Sequence, residues 1–296
     1  MPSLRDIQMR DPFMLRQGDT YYLYGSTDQD IWHAEGVGFD VYVARGALTA
    51  QTVFDGPYPA FRPPAGFWSK RNFWAPEVYA YAGAYYMFAT FLPTSGYRGT
   101  AVLRADTPLG PFAPHSDGPV TPRDWQCLDG TLYVTDSNTP WMVFCHEWAQ
   151  VGDGQICALP LQPDLSAPAG PPRLLFTASA APWAAPLQGR APGSYVTDGP
   201  YLYRAGDGPL FLLWSSFGSH GNYCIGMAVS PIGDLLGPWR QSDAPIYEAD
   251  GGHGMLFDTP DGRLYLAIHT PNDTPNERPV FVEMGQGLVP TGRVLA

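Results

Sequence analysis

Charge is scarce in this chain: only 15% of its 296 residues are Asp, Glu, Lys or Arg. Basic residues are the scarcer kind, 17 against 28 acidic, for a formal net charge of −11. A balance of that sign counts against nucleic acid and anionic membrane as partners and leaves a neutral ligand such as a sugar open. Nowhere do about 18 apolar residues run together, so no membrane-spanning helix is expected. Helical periodicity is missing too, since no long segment repeats its apolar residues at three- and four-residue steps. The start, Met1-Pro2-Ser3-Leu4-Arg5, has no apolar core of a secretion signal, and from this a cytoplasmic location is expected. Cysteine is sparse and unpatterned. Cys127, Cys145, Cys157 and Cys224 show no C-x-x-C spacing, so four free, mostly buried thiols are expected rather than a zinc site.

What the chain does have is 33 Gly, 32 Pro and 14% aromatic residues, a mix suited to short strands and tight turns. One unit recurs. Arg10-Asp11-Pro12-Phe13-Met14-Leu15 turns at Gly18-Asp19 into Tyr21-Tyr22-Leu23-Tyr24. Versions follow from Trp74, Asp129, Asp198 and His253, each an apolar strand, a turn and a second apolar strand. Such a hairpin cannot bury both faces alone. Five repeats, longer than the usual 40 to 50 residues because of loops, predict an all-β chain folded as a five-bladed β-propeller, one domain over residues 1–296. Asp40–Arg45 reads as the third strand of the first blade, Gln51–Phe54 as its fourth, and residues 55–72 as a loop. Leu109-Gly110-Pro111-Phe112 and Leu236-Gly237-Pro238-Trp239 close the second and fourth repeats alike, an independent sign of duplication.

In a propeller the first strand of each blade lines the central channel. The starts of first strands and the ends of second strands therefore share one face. The starts read Asp11, Trp74, Asp129, Asp198 and His253; the ends include Glu147, Phe217 and His269. Packing does not gather three aspartates at equivalent positions, because converging carboxylates repel and lose water. Asp before Gly or Pro also caps turns, and for any one of the three that alternative stands. Trp68, Phe67, Trp74, Trp125, Trp148 and Phe217 are candidates to stack on sugar, with inter-blade packing as the competing role.

The ordered set Arg-Asp-Pro, Trp-Ala-Pro-Glu, Leu-Asp-Gly, Asp-Gly-Pro and Gly-His-Gly covers nearly the whole chain and resembles glycoside hydrolase family 43. The resemblance implies an inverting, exo-acting enzyme that removes terminal arabinofuranose from small oligosaccharides, with a β-xylosidase or a non-cleaving sugar-binding propeller as alternatives. By the same resemblance Asp11 matches the general base, Asp129 the aspartate that tunes and orients the acid, and Trp74 a subsite aromatic. Arg278 matches an arginine that holds substrate. His253 matches a channel histidine near calcium or another structural ion, with no cofactor required for the chemistry. One position departs from the pattern: the family's general acid is usually Glu before Gly-Pro, and here Asp198 stands there. The shorter side chain withdraws the carboxyl by about 1.5 Å. Either the backbone compensates and Asp198 is the acid, or Glu147 on the same face replaces it, or the site binds sugar without cleaving it.

Overall fold

The computed structural model describes residues 1–296, nearly all of the regular structure being strand. Blade 1 is β1 (Arg10–Gln17), β2 (Thr20–Ser26), β3 (Phe39–Arg45) and β4 (Asp55–Phe61). Blade 2 is β5 (Ser69–Tyr81), β6 (Ala84–Pro93), β7 (Gly99–Ala105) and β8 (Ala113–Pro114). Blade 3 is β9 (Cys127–Val134), β10 (Pro140–His146), β11 (Gln155–Pro160) and β12 (Arg173–Thr177). Blade 4 is β13 (Asp198–Arg204), β14 (Leu210–Phe217), β15 (Tyr223–Ser230) and β16 (Arg240–Gln241). Blade 5 is β17 (Gly252–Asp258), β18 (Leu264–Thr270), β19 (Arg278–Met284) and β20 (Pro290–Leu295). Each is a four-stranded antiparallel meander in chain order, and together they form the five-bladed propeller.

Alternation decides which faces meet. In β2, Tyr21 and Leu23 are buried while Thr20 and Tyr22 are partly exposed, a period of two that presents one face to a neighbouring blade. The apolar core divides accordingly into clusters between blades rather than one central mass. Phe39, Phe61, Phe67, Phe73 and Phe91 form a wedge between blades 1 and 2, with ring centroids 5.0 Å apart for Phe73 and Phe91 in edge geometry. Edge contacts of this kind add about 0.5–1.5 kcal/mol each beyond burial. The channel face is left to polar side chains.

Blade 1 departs from the sequence expectation. Its fourth strand is Asp55–Phe61, inside the segment read as a loop, while Val53 makes only a single bridge to Ser3. The error came from treating Pro57 and Pro59 as loop markers. An edge strand presents half its N–H groups to solvent, so proline is tolerated there. The ring closes without strand exchange. Met9 N–H donates to the Glu277 carbonyl at 3.2 Å, and Arg278 Nε donates to the Arg5 carbonyl at 2.9 Å, joining the first residues to blade 5.

Candidate active site

Every first strand carries a β-bulge of the same kind toward its channel end. The ladder breaks between Arg10 and Phe13, Trp74 and Glu77, Leu128 and Thr131, Asp198 and Tyr201, and Gly252 and Met255. A bulge inserts an extra residue, bends the strand and re-aims a side chain. The bulged residue has positive φ in all five blades: Asp11 at 53°, Ala75 at 47°, Asp129 at 56°, Gly199 at 49° and His253 at 48°. Because Ala75 shares the conformation, the strain belongs to the blade architecture and is not itself a mark of function.

This register corrects the reading of equivalent strand starts. Asp11, Asp129 and His253 are equivalent; Trp74 and Asp198 sit one residue earlier, in line with Arg10, Leu128 and Gly252. The place after Asp198 falls to Gly199, where a Cβ would lie 2.7 Å from the His253 ring. Glycine there lets His253 approach blade 4. Sequence spacing alone could not expose a one-residue offset between repeats of unequal length.

Hydrogen bonds then stitch one blade to the next. Ser26 Oγ accepts the Ala75 N–H at 2.8 Å, Thr90 Oγ1 the Asp129 N–H at 2.8 Å, Ser215 Oγ the His253 N–H at 2.8 Å, and His269 Nδ1 the Asp11 N–H at 3.2 Å. These acceptors pair with the residue preceding the bulge on β2, β6, β14 and β18. On β10 the equivalent residue is Cys145, a weak acceptor, and the Gly199 N–H goes instead to Asp129 Oδ2 at 3.0 Å. An amide proton that would otherwise seal the ring is thus spent on a carboxylate.

The channel mouth opens into a cavity of about 810 Å³. Asp11, Asp129, Asp198, Glu147, Trp74, Trp148, Phe217 and His253 all line it, so the structure gathers every residue that the family resemblance gave a role, save one. Arg278 is the exception. Its guanidinium donates to the carbonyls of Arg5, Pro275 and Glu277, all away from the cavity, so it is a clasp of the first segment to blade 5. The arginine beside the carboxylates is Arg10. Its Nη1 donates to Glu277 Oε1 at 2.7 Å and its Nη2 to Asn272 Oδ1 at 2.8 Å. Thr274 Oγ1 also donates to Glu277 Oε1. Glu277 is fully buried, so this ion pair fixes Arg10 in one pose. The sequence signal was Glu277, one position before the arginine that drew attention.

His253 sits beside Asp11 and against Gly199, the residue after Asp198. His253 Nδ1 is 3.1 Å from Asp11 Oδ1 and 3.7 Å from Asp129 Oδ2, while its ring abuts Gly199. Burial works to raise Asp11, but His253, Arg10 and His269 together with the Ser26 hydroxyl, 2.7 Å from Oδ2, hold it below the usual carboxylate range. Arg10 is the constant contributor because a guanidinium keeps its charge. Burial pushes His253 down, and pushes His269 down to about 3 with Arg10 adding to the effect. A neutral His269 with Nδ1 accepting from Asp11 N–H must carry its proton on Nε2, which faces Asn272 Oδ1 at 3.4 Å.

Asp129 and Asp198 behave oppositely. Burial first, then the charges of Asp198 and Asp11, drive Asp129 well above its ordinary value. Burial, with Glu147 and Asp11 behind it, raises Asp198 to about 7 against the Tyr223 hydroxyl and Arg10. Tyr223 Oη donates to Asp198 Oδ2 at 3.0 Å, and its ring stacks on His269. Two buried carboxyls, linked through the amide of Gly199, are thus both driven toward the protonated form. Glu147 is occupied differently: Arg98 Nη1 donates to its Oε2 at 2.6 Å, and the same guanidinium lies 4.5 Å from the Trp74 ring centroid. One cavity thus holds a carboxyl shifted toward its ionised form and another shifted toward its protonated form, the pair of states that acid–base chemistry uses.

No group of three or more His, Cys, Asp or Glu side chains is arranged to hold a metal ion. His253 spends Nδ1 on Asp11. These residues do not fit a protein-built calcium cage. All four cysteines are buried and free. Trp125 stacks on His146 at 4.1 Å, and Phe67 belongs to the phenylalanine wedge, so neither reaches the cavity. Glu77 is buried beneath it, bonded to Tyr79 Oη at 2.5 Å, and burial pushes it up to about 8. Trp32, unmarked by any repeat, stands edge-on to Trp74 with centroids 5.1 Å apart and lines the cavity.

Comparison with known proteins agrees with this geometry. The chain is 24% identical over 299 residues to an extracellular exo-α-(1→5)-L-arabinofuranosidase of Cellvibrio japonicus, covering 90% of this chain and 79% of that one. It is 25% identical to an extracellular exo-α-(1→5)-L-arabinofuranosidase of Streptomyces avermitilis, over 88% of this chain but only 53% of that protein. The chain therefore spans about half the length of the Streptomyces relative. The crystal structure of an endo-arabinase from Bacteroides thetaiotaomicron superposes with a TM-score of 0.87 at 39% identity, covering 97% of this chain and 98% of that one. The cytoplasmic location expected above is corrected here, because both curated relatives are named as extracellular enzymes. The start of the sequence was a poor guide to location. Residues 5–296 match glycosyl hydrolases family 43, and the chain belongs to that family of glycosidases.

Proposed function

We propose that this protein hydrolyses α-L-arabinofuranosyl linkages in neutral plant-type oligosaccharides, with inversion at the anomeric carbon. Asp11 acts as general base, Asp198 as general acid and Asp129 as the neighbour that keeps the acid protonated and in place. The observation that carries the reading is the gathering of Asp11, Asp129, Asp198 and His253 around one cavity, with Asp11 held low and Asp198 raised to about 7. Asp11 takes a proton from water as the water oxygen bonds to the anomeric carbon. Asp198 gives its proton to the glycosidic oxygen as the carbon–oxygen bond breaks. Inversion needs room for that water, roughly 6.5–9.5 Å between the carboxyls. Asp11 and Asp198 share no hydrogen bond, and both line the same cavity. Glu147, committed to Arg98, is the weaker candidate for the acid.

Removal of terminal sugars is the mode supported by the names of the curated relatives. Internal cleavage is the second reading, favoured by the Bacteroides endo-arabinase at 39% identity. The test is a panel of aryl arabinofuranosides and xylosides plus linear α-(1→5)-arabino-oligosaccharides, with early products followed by NMR. Arabinose of inverted configuration as the first product is expected. Oligomers as first products select internal cleavage, retained configuration removes the mechanism, and xylose release alone removes the sugar assignment.

A further inference from the structure

Beyond the reacting groups lies a second depression, over blade 2 and its junction with blade 3. A cavity of about 230 Å³ is lined by Trp68, Ser95, Tyr97 and Arg98 with Pro119, Pro122 and Arg123 among its walls. A further one of about 450 Å³ continues past Asp117, Pro119, Pro122 and Arg123 toward Ser166 and Pro172 on blade 3. Arg98 lines both the first of these and the 810 Å³ cavity at the channel mouth. The channel mouth thus adjoins the 230 Å³ depression at Arg98, and that depression adjoins the 450 Å³ one along Asp117, Pro119, Pro122 and Arg123, a trough in three successive parts.

We propose that this trough is an outer binding site for the continuing chain of a neutral polysaccharide whose reacting end occupies the channel mouth. The proposal rests on the glycosidase reading of that mouth. Three observations favour this occupant. Tyr97 is 44% exposed, and Trp68 lines the same depression half-buried, its inner side packed on Phe67 and Phe91. Aromatic faces beside hydroxyl, guanidinium and carboxylate groups suit a sugar ring, which has apolar C–H faces and a polar edge. Charge in the trough is balanced: Arg123 lies 3.8 Å from Asp117, and Arg98 is paired with Glu147. A neutral chain meets no net field there. The walls are also stiff, since Pro119, Pro122, Pro168 and Pro172 restrict their backbone, so little ordering opposes binding.

Tyr97→Ala and Arg123→Ala, both changes at exposed side chains, test the site. On arabino-octaose each is expected to lower kcat/KM about three- to tenfold, the effect of losing one aromatic or polar contact. On an aryl arabinofuranoside, which occupies the channel mouth and does not extend to Tyr97 or Arg123, both should match the wild type. Retardation of the wild type in gels containing arabinan or xylan, lost in the Tyr97 variant, reads binding without turnover. Equal losses on the long and short substrates overturn the proposal, as does wild-type behaviour of both variants on octaose. Tyr97-dependent retardation by xylan with no arabinoside cleaved keeps the outer site and removes the arabinoside assignment instead.

Discussion

Blades 1 and 3 place an aspartate at the same point of the same bulge, with φ of 53° at Asp11 and 56° at Asp129. The two carboxyls are nevertheless driven in opposite directions. Asp11 faces a guanidinium anchored by a buried glutamate and receives a hydroxyl hydrogen bond from Ser26. Asp129 faces Asp198 and receives the Gly199 amide because Cys145, in the place of Ser26, is a weak acceptor. The repeat therefore fixes where a side chain points. Residues from other blades decide which proton it holds.

The largest expected effect separates the two aspartates by role. Asp11→Asn should lower kcat by at least about a hundredfold with the melting temperature unchanged, as loss of a general base does. Near-normal turnover would dissolve the contrast. Asp198→Ala comes next. It should be nearly inactive on natural oligosaccharides but regain much activity on aryl glycosides with good leaving groups, which need little protonation, and the alkaline limb of its pH profile should flatten. Full activity on an unactivated substrate, with Glu147→Gln inactive, would transfer the acid role to Glu147.

A smaller effect tests the difference between Ser26 and Cys145 directly. Cys145→Ser supplies the acceptor that β2, β6 and β14 already have, and should draw the Gly199 N–H off Asp129. Asp129 then loses stabilisation of its charge, Asp198 feels less negative charge, and the alkaline limb moves to lower pH by about half a unit. Cys145→Ala should leave the limb in place. Identical profiles for both variants would show that the thiol does not steer the amide.

The smallest effect concerns Glu77, raised to about 8 by burial. A carboxyl held protonated when folded, but ionised when unfolded, binds the extra proton in the native state between about pH 4.3 and 8. Its contribution is present below that window and is lost as pH rises through it. Melting temperature should accordingly fall from pH 5 to pH 8 in the wild type, and fall less in Glu77→Gln. A parallel decline in both would assign the dependence to Asp129 and Asp198 alone.

Much of this was legible in the sequence because a propeller writes its repeat five times. The hairpins beginning near Asp11, Trp74, Asp129, Asp198 and His253 gave the fold, and the aspartates among them gave most of the cavity. What escaped was of two kinds. Fine register was invisible, since a bulge shifts a side chain by one residue without changing composition; Asp198 and Trp74 were thereby aligned one place late. Cross-blade partners were invisible because they lie far apart in the chain. Glu277 reaches Arg10 across 267 positions and Arg98 reaches Glu147 across 49. Trp32 sits between strands, where no repeat marks it. Proline misled at Asp55–Phe61, where an edge strand accommodates it.

The claim that carries the account is that Asp11 is ionised at neutral pH while Asp129 and Asp198 are both driven toward the protonated form. Carbon-13 labelling of the aspartate side chains, with signals assigned through Asp11→Asn, Asp129→Asn and Asp198→Asn, measures it directly by NMR titration. The Asp11 carboxyl should titrate below the ordinary aspartate range. The Asp198 signal should move with a midpoint near 7, the Asp129 signal well above the ordinary aspartate range, and each should change when the other is substituted. Three independent titrations, all complete below pH 5, would contradict the account.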